Sequence, residues 1–318
     1  LPSLIISKAS SKAQIKDIGR FGAAHLGFTQ GGANDTYAYN WSNYLVGNPK
    51  GTAVIEVTLG NLEIEFLDTI CFSITGAQCF ATLDDNVLTN WSRYTAKKGQ
   101  KLKLSMPRNG LITYIAFQGR LDLSPVLKSV TCVQRESIGG HNGNGSYLTA
   151  GTQLTLTKSE SVNKPIGNQV SYFYWNKPYY RSQPSLNTAY KIRFISGYQF
   201  DLFSNQQISM LTNGEYTITA QSNNMGYQLK GTSIIPPQIS LASEGLASGS
   251  IQIPPLGQPI IMLNEKQTIG GYPKVGTIVK MDLNKLSQLR PGQKITFIPC
   301  SRKQALNEWL GWERFFAH

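Results

Sequence analysis

A chain of 318 residues, 41% hydrophobic and 15% charged, is long enough for two domains and too apolar for a disordered polymer. Its formal net charge is +12, spread evenly: residues 1–158 carry 15 basic and 10 acidic side chains, residues 159–318 carry 15 and 8. No basic tail and no recognition motif accompany that charge, so nucleic-acid binding is not expected; a plain basic surface, or one facing an acidic partner subunit or anionic substrate, suits it better.

No apolar run reaches bilayer length, and Leu4-Ile5-Ile6 is too short for a leader core. No membrane association is expected, and the expected compartment is the cytoplasm. The four cysteines, Cys71, Cys79, Cys132 and Cys300, form no CxxC pair and meet only three histidines. A zinc or iron–sulfur ligand set is therefore lacking. Cys71 and Cys79 lie in strand-like runs and read as buried, reduced thiols.

In chain order, Asp35 stands where a helix cap belongs. Ala38, Trp41 and Leu45 fall on one face and Gly47 supplies a stop, which predicts a helix to about Val46. Leu62, Ile64 and Phe66 alternate with Glu63 and Glu65, and Leu102 and Leu104 with Lys101 and Lys103. That period predicts half-buried strands. Asp84-Asp85-Asn86, Asn109-Gly110 and Asn213-Gly214 read as turns between such runs. From Ser159 to Tyr190 the chain crowds Tyr172, Phe173, Tyr174, Trp175, Tyr179 and Tyr180 among Lys177 and Arg181. Such a mixture can stack on bases or sugars, but it suits an inter-domain connector better. Ile192 and Phe194, then Ile295 and Phe297, resume the strand period. Asp282 reads as the cap of a short helix before Arg290-Pro291-Gly292, and Ser301 with Gln304 has capping-box spacing for a last helix carrying Ala305, Trp309, Trp312 and Phe316. The expected fold is all-β dominated: a β-rich half over 1–158, a connector over 159–190, and a β-barrel half with a terminal helix over 191–318.

Two polar turns can carry chemistry. Gly27-Phe28-Thr29-Gln30-Gly31-Gly32-Ala33-Asn34-Asp35 runs into a helix start, where backbone N–H groups can cradle a carboxylate or phosphate. A tight entry into a capped helix explains the same residues equally well, and the Gly-Lys-Ser/Thr ending of a Walker loop is absent. The second runs from Gln258 through Asn264-Glu265-Lys266-Gln267-Thr268 to Gly270-Gly271-Tyr272-Pro273-Lys274. Glu265 can accept a proton or orient a donor, and Lys274 can hold an oxyanion or carboxylate. A solvated polar turn is the plainer alternative. No nucleophile elbow, HExxH, GxGxxG or paired-carboxylate spacing is present.

The residues resemble a known family along most of the chain. Ile15-Lys16-Asp17-Ile18-Gly19-Arg20-Phe21-Gly22 is similar to its Val-Gln-Asp-x-Gly-Arg-x-Gly opening. Leu45-Val46-Gly47-Asn48, Ile55-Glu56-Val57-Thr58-Leu59-Gly60, Thr75-Gly76-Ala77 and Gly119 to Ser129 follow. Ser243-Glu244-Gly245, Gly249-Ser250-Ile251-Gln252-Ile253-Pro254, the Gln258–Lys274 run and Leu289-Arg290-Pro291-Gly292 complete the order. On these blocks the chain is identified as a member of the family of 5-oxoprolinase C subunits, allophanate hydrolase subunit 2 and KipA-like carboxyltransferases. The resemblance implies a cyclophilin-like β-barrel architecture and a hydrolase of a cyclic amide, opening 5-oxoproline to glutamate with ATP at the level of a complex. It implies two partners: a B subunit (allophanate hydrolase subunit 1, KipI-like) and an A subunit (LamB/YcsF-like). Biotin enters only under an alternative, carboxyl transfer to urea or another amide. A non-catalytic regulatory role is the further alternative.

Motif positions and loop chemistry together nominate Glu265, Lys274, Gln267 and Thr268 as catalytic. Substrate binding is assigned to Gly31, Gly32, Asn34, Asp35, Thr75 and Gly76 in the first half, and to Asn224, Tyr227, Gln228, Gly270, Gly271 and Tyr272 in the second, with no metal. The family's two arginines in its Ser-Asn/Asp-Arg-Met-Gly-Tyr-Arg-Leu block are Asn224 and Gln228 here. An amide does not replace a forked guanidinium on a carboxylate.

Overall fold

The computed structural model describes residues 1–9, 12–157, 188–237 and 241–316. Among these the chain forms two compact units, one from residues 1–21, 31–157 and 316, the other from residues 22–30 and 188–315. Most of the aromatic stretch 159–190 lies outside the described residues; Tyr190 itself opens a strand. No described helix is long and apolar enough to cross a membrane.

The first unit holds two antiparallel sheets around one core. One sheet runs Gln153–Leu154, Leu4–Lys8, Leu62–Phe66, Lys101–Leu104, Ala81–Leu83, Asn86–Leu88. The other runs Ala13–Lys16, Val54–Thr58, Asn109–Phe117, Ile70–Gln78, Ser92–Ala96. The strand period works as expected: Leu62, Ile64, Phe66, Leu102 and Leu104 face the core, while Lys101 and Lys103 face solvent. Glu65 pairs with Lys101 across the ladder, its carboxylate 3.6 Å from the ammonium. Such exposed pairs add little stability. Asp84 makes the turn at φ 50°, but Asn109-Gly110 is not a turn. It lies inside a strand where the register shifts, with Gly110 at φ 79°; an irregularity of this kind kinks a strand without ending it.

The helix Thr36–Leu45 packs on this second sheet. The Asp35 carboxylate accepts from the Ala38 N–H at 3.0 Å, the expected cap. Ser73 and Thr75 donate to the helix carbonyls of Ser42 and Ala38, both at 2.7 Å. Beneath the helix start, buried Tyr114 donates to Glu56 at 2.8 Å and accepts from the Asp35 N–H at 3.1 Å. Gln14 donates to the other Glu56 oxygen at 2.8 Å.

The second unit is a closed barrel of seven strands. Going round, they are Tyr190–Ser196, Lys274–Ile278, Ser250–Gln252, Ile260–Met262, Gly226–Gly231, Tyr216–Ile218 and Lys294–Pro299. The last returns to the first in parallel, Tyr190 opposite Ile295 and Phe194 opposite Pro299. Ile192, Phe194, Phe297, Ile251 and Ile261 fill the interior. A helix at Asn205–Asn213 carries a full capping box between Ser204 and Gln207. Its buried residue is Leu211.

Asp282 does not cap its helix. The helix is Lys280–Ser287, entered from Val279, and Asp282 sits in its first turn. The carboxylate is taken by Arg193 of the first barrel strand, with Nη2 at 2.7 Å, Nε at 3.1 Å and the backbone N–H at 2.8 Å. The same guanidinium reaches Glu308 at 2.7 Å on the terminal helix Arg302–Phe315. Both carboxylates hold the Arg193 pKa above its ordinary value, their hydrogen bonds being the main cause. Ser301 accepts from the Gln304 N–H at the helix start, and Ala305 and Trp312 are buried. Trp309 is half-buried, with the Lys280 ammonium 3.7 Å above its ring. All four cysteines are free; Cys79 and Cys132 are buried, whereas Cys71 is only partly covered.

Two outcomes follow. Tyr114→Phe removes the hydroxyl that bonds the Asp35 N–H and a Glu56 oxygen, and is expected to lower unfolding free energy by about 1–3 kcal/mol. The urea midpoint should fall with the slope unchanged; an unchanged midpoint would mean the network is slack. Burial also raises the phenol pKa of Tyr39, Tyr114 and Tyr227, and pushes Tyr216 up to about 12. These groups resist ionisation in the folded state but ionise near pH 10 when unfolded. Their contribution is full below about pH 10 and is lost as pH rises toward the folded values. Phenolate absorbance should therefore show a late phase that coincides with loss of near-ultraviolet circular dichroism. Complete titration near pH 10 in a still-folded protein would contradict it.

Candidate functional site

The nominated residues fall into two sets, one in each unit. In the first unit, Gly31 and Gly32 take positive φ of 59° and 86°. A side chain at Gly32 would sit 2.8 Å from the Ile18 carbonyl, so glycine is what lets this segment lie against 17–19. Four of the N–H groups along this turn and helix start are already used. Gly32 donates to Thr131 Oγ1 and Ala33 to the Asp17 carbonyl, both at 3.1 Å, while the Asp35 N–H goes to Tyr114 and the Ala38 N–H to Asp35. Thr75 is spent on the helix, and a side chain at Gly76 would come within 2.3 Å of the Ile112 carbonyl. Thr75 and Gly76 therefore act here as docking points for the helix and the neighbouring strand.

Asp17 ties this corner together. Its carboxylate accepts from Gly19 N–H at 2.8 Å, Ser129 Oγ at 2.7 Å and Val130 N–H at 2.8 Å. Arg20 is buried and donates through Nε to Val126 O and through Nη2 to Thr131 O, both at 3.2 Å. Burial lowers its pKa. Arg20 Nη1 and Asn34 Oδ1 are sealed without a hydrogen-bond partner among the described residues.

In the second unit the nominated residues surround the strand Ile260–Met262 and the turns after it. The Asn224 side chain donates to Glu265 Oε1 at 2.8 Å, and the Glu265 N–H donates to the Asn224 carbonyl at 3.0 Å. Side chain and backbone together fix a buried carboxylate at the mouth of two paired strands, Gly226 opposite Met262. Tyr227 and Gln228 diverge because successive strand residues face opposite ways. Tyr227 points inward, its hydroxyl against the carbonyls of Leu289 at 3.1 Å and Ser287 at 3.3 Å. Gln228 points outward into an open groove of about 520 Å³ that also takes in Lys230, Leu256 and Gln258.

Lys274 is engaged by a group outside the nominated set. Its ammonium lies 2.5 Å from the Glu244 carboxylate and 3.4 Å from the Gly245 carbonyl. Gln199 donates to the same Glu244 oxygen at 2.7 Å and accepts from the Lys274 N–H at 2.7 Å. Glu244 has a lowered pKa, first through the hydrogen bond from Lys274 and then through that from Tyr198. Glu244 and Gly245 pair with Gly270 and Ile269 in a small ladder, which brings Lys274 and the Gly270-Gly271-Tyr272 turn to one place. Gly271 and Tyr272 are exposed there, as is Gln267, and Thr268 is half-buried. Gln199 and Tyr198 carry no sequence signal, whereas Glu244 lies in a family-like block, Ser243-Glu244-Gly245. Lys266, inside the polar run, is buried; burial in a flanking turn is what a sequence does not disclose. No cluster of His, Cys, Asp or Glu suited to a metal occurs among the described residues.

Three likenesses bear on this geometry. The chain is 34% identical over 315 residues to the C subunit of 5-oxoprolinase from Escherichia coli, covering 98% of this chain and 96% of that one. It is 31% identical over 301 residues to the C subunit of 5-oxoprolinase from Haemophilus influenzae, covering 94% and 92%. Its fold matches the crystal structure of Kluyveromyces lactis urea carboxylase with a TM-score of 0.85 at 21% identity, over 99% of this chain and 29% of that one. That last likeness concerns the fold of one part of a longer protein. Residues 26–299 match the model of the carboxyltransferase domain, subdomain A and B, and the chain belongs to that family.

Proposed function

We propose that this chain is the C subunit of an ATP-dependent 5-oxoprolinase, opening 5-oxoproline to glutamate together with the A and B subunits. The observation that carries the reading is the near end-to-end correspondence with the Escherichia coli protein, 98% of one chain against 96% of the other. In that reaction water's oxygen ends on the lactam carbonyl carbon, the ring C–N bond breaks, and the released nitrogen takes a proton. ATP is consumed by the complex, with the KipI-like B subunit and the LamB/YcsF-like A subunit as partners.

The chain's own contribution is proton transfer and positioning. Glu265, clipped by Asn224 on both its side chain and its backbone, is the group placed to move a proton at the lactam nitrogen. Gln267 and Thr268 follow on the same turn with their side chains at least partly open, and they serve as polar contacts to the ring amide. Lys274 is committed to Glu244; its part is to hold the ladder that carries Gly270, Gly271 and Tyr272, and an oxyanion role would require Glu244 to let go. In the first unit Gly32, Asp35 and Thr75 are engaged by the fold, and Asn34 Oδ1 is an unpaired acceptor sealed from solvent. A second reading, carboxyl transfer to urea or another amide with biotin as the carrier, draws its support from the family's carboxyltransferase description.

Reconstitution separates the two. With cognate A and B subunits, glutamate formation from 5-oxoproline is expected only when this chain and ATP are both present. An assembled complex that is inactive on 5-oxoproline but carboxylates an amide with biotin would establish the second reading. Within the active complex, Glu265→Gln is expected to lower kcat by about 10²–10⁴-fold with assembly intact. Retention of full kcat would remove Glu265 from the chemistry.

A further inference from the structure

A lactam that carries a carboxylate needs a cation at its site, and most cations of the barrel unit with described contacts are already committed. Arg193 is shared between Asp282 and Glu308, Lys274 holds Glu244, Lys294 faces Glu215 at 3.2 Å, and Lys285 reaches the Lys191 carbonyl at 3.4 Å. In the other unit Arg20 staples a loop by two carbonyls.

Lys266 differs from all of these. It is only 6% exposed, yet its ammonium makes no hydrogen bond or ion pair among the described residues. Its Nζ is not among the sealed, partnerless polar atoms, so the stem is covered while the tip stays reachable. Burial is the one cause lowering its pKa; no neighbouring charge contributes in either direction. A cation so placed is penalised until an anion joins it. It follows Glu265 directly and precedes Gln267 and Thr268, on the turn already assigned to the lactam.

We propose that Lys266 receives the carboxylate of the substrate and thereby makes the site selective for an anionic lactam over a neutral one. The assignment rests on the 5-oxoprolinase reading and names the part of the substrate that this turn holds. An ammonium–carboxylate contact in a covered place is a charge-assisted hydrogen bond. The plainer alternative is a lysine whose methylene stem fills space while its tip rests in water. Lys266→Met keeps the stem and removes the charge, so it separates the two.

The experiment uses the assembled complex of all three proteins, with 5-oxoproline and with 2-pyrrolidinone, the same ring lacking the carboxylate. Lys266→Met is expected to raise KM for 5-oxoproline by about 10- to 100-fold while kcat changes far less. Weak inhibition by 2-pyrrolidinone should be unaltered, and Lys266→Arg should recover most of the affinity. An unchanged KM in Lys266→Met overturns the proposal while the 5-oxoprolinase reading stands. If the wild-type complex is inactive on 5-oxoproline, that reading fails, and the assignment is decided on the wild-type chain by amine labelling with peptide mass spectrometry. Protection of Lys266 by acetate, succinate or glutamate, but not by neutral amides, upholds a carboxylate site; labelling indifferent to every carboxylate overturns it.

Discussion

Closure of the barrel depends on one parallel strand pairing, Tyr190–Ser196 against Lys294–Pro299, between segments about a hundred residues apart. The other neighbours round the barrel are antiparallel. Parallel pairing is slightly weaker per residue and cannot be made by a tight turn, so this seam needs support from outside the ladder. Arg193 supplies it. Standing on the first seam strand, it grips Asp282 on one helix and Glu308 on another. The polar turns hang from the closed ring: Asn224 and Glu265 at one pair of strand ends, Lys274 within a strand whose neighbour carries the seam. A site on loops gains precision from such a frame.

The distribution of buried charge follows the same logic. Several charged groups have their hydrogen bonds filled within the fold: Asp17 by three donors, Asp282 by Arg193, Lys274 by Glu244. Unfilled groups cost stability and need another explanation. Asn34 Oδ1 and Arg20 Nη1 are single unfilled atoms on residues or loops that are otherwise packed. Lys266 is a whole cation without a counterpart among the described residues, which sets it apart in kind.

The architecture was legible wherever a strand has one wet face. Leu62–Phe66 and Lys101–Leu104 alternate cleanly because Glu and Lys occupy the outer positions. Asp35 was legible as a cap because the N–H it accepts from, that of Ala38, lies only three residues on. Asp282 looked the same in sequence, but Arg193, 89 residues away, claims it. The barrel seam was hidden by its separation in sequence. The site divides along the same line. Glu265 was nominated for the local density of polar residues and Asn224 for its motif; that the two are hydrogen-bonded to each other was not readable from either. That Thr75 is hydrogen-bonded to the helix, that Gly76 lies against the Ile112 carbonyl of the neighbouring strand, and that Lys274 is bound by Glu244, depends on contacts no local pattern encodes.

Charge at the site also bears on how one fold can serve different amides. Urea, for which the Kluyveromyces lactis relative is named, has no net charge, whereas 5-oxoproline carries a carboxylate beside its lactam. The amide groups make similar demands on hydrogen bonding, so donors and acceptors on a turn discriminate between them poorly. A buried cation discriminates strongly, because a neutral ligand leaves it unpaired and an anionic ligand does not. Asn224 and Gln228 cannot play that part, being neutral, and Lys274 is neutralised by Glu244. If Lys266 receives the carboxylate as proposed, a change at position 266 is enough to shift the barrel's preference between an anionic lactam and a neutral amide, while the ladder and the Glu265 clip stay the same.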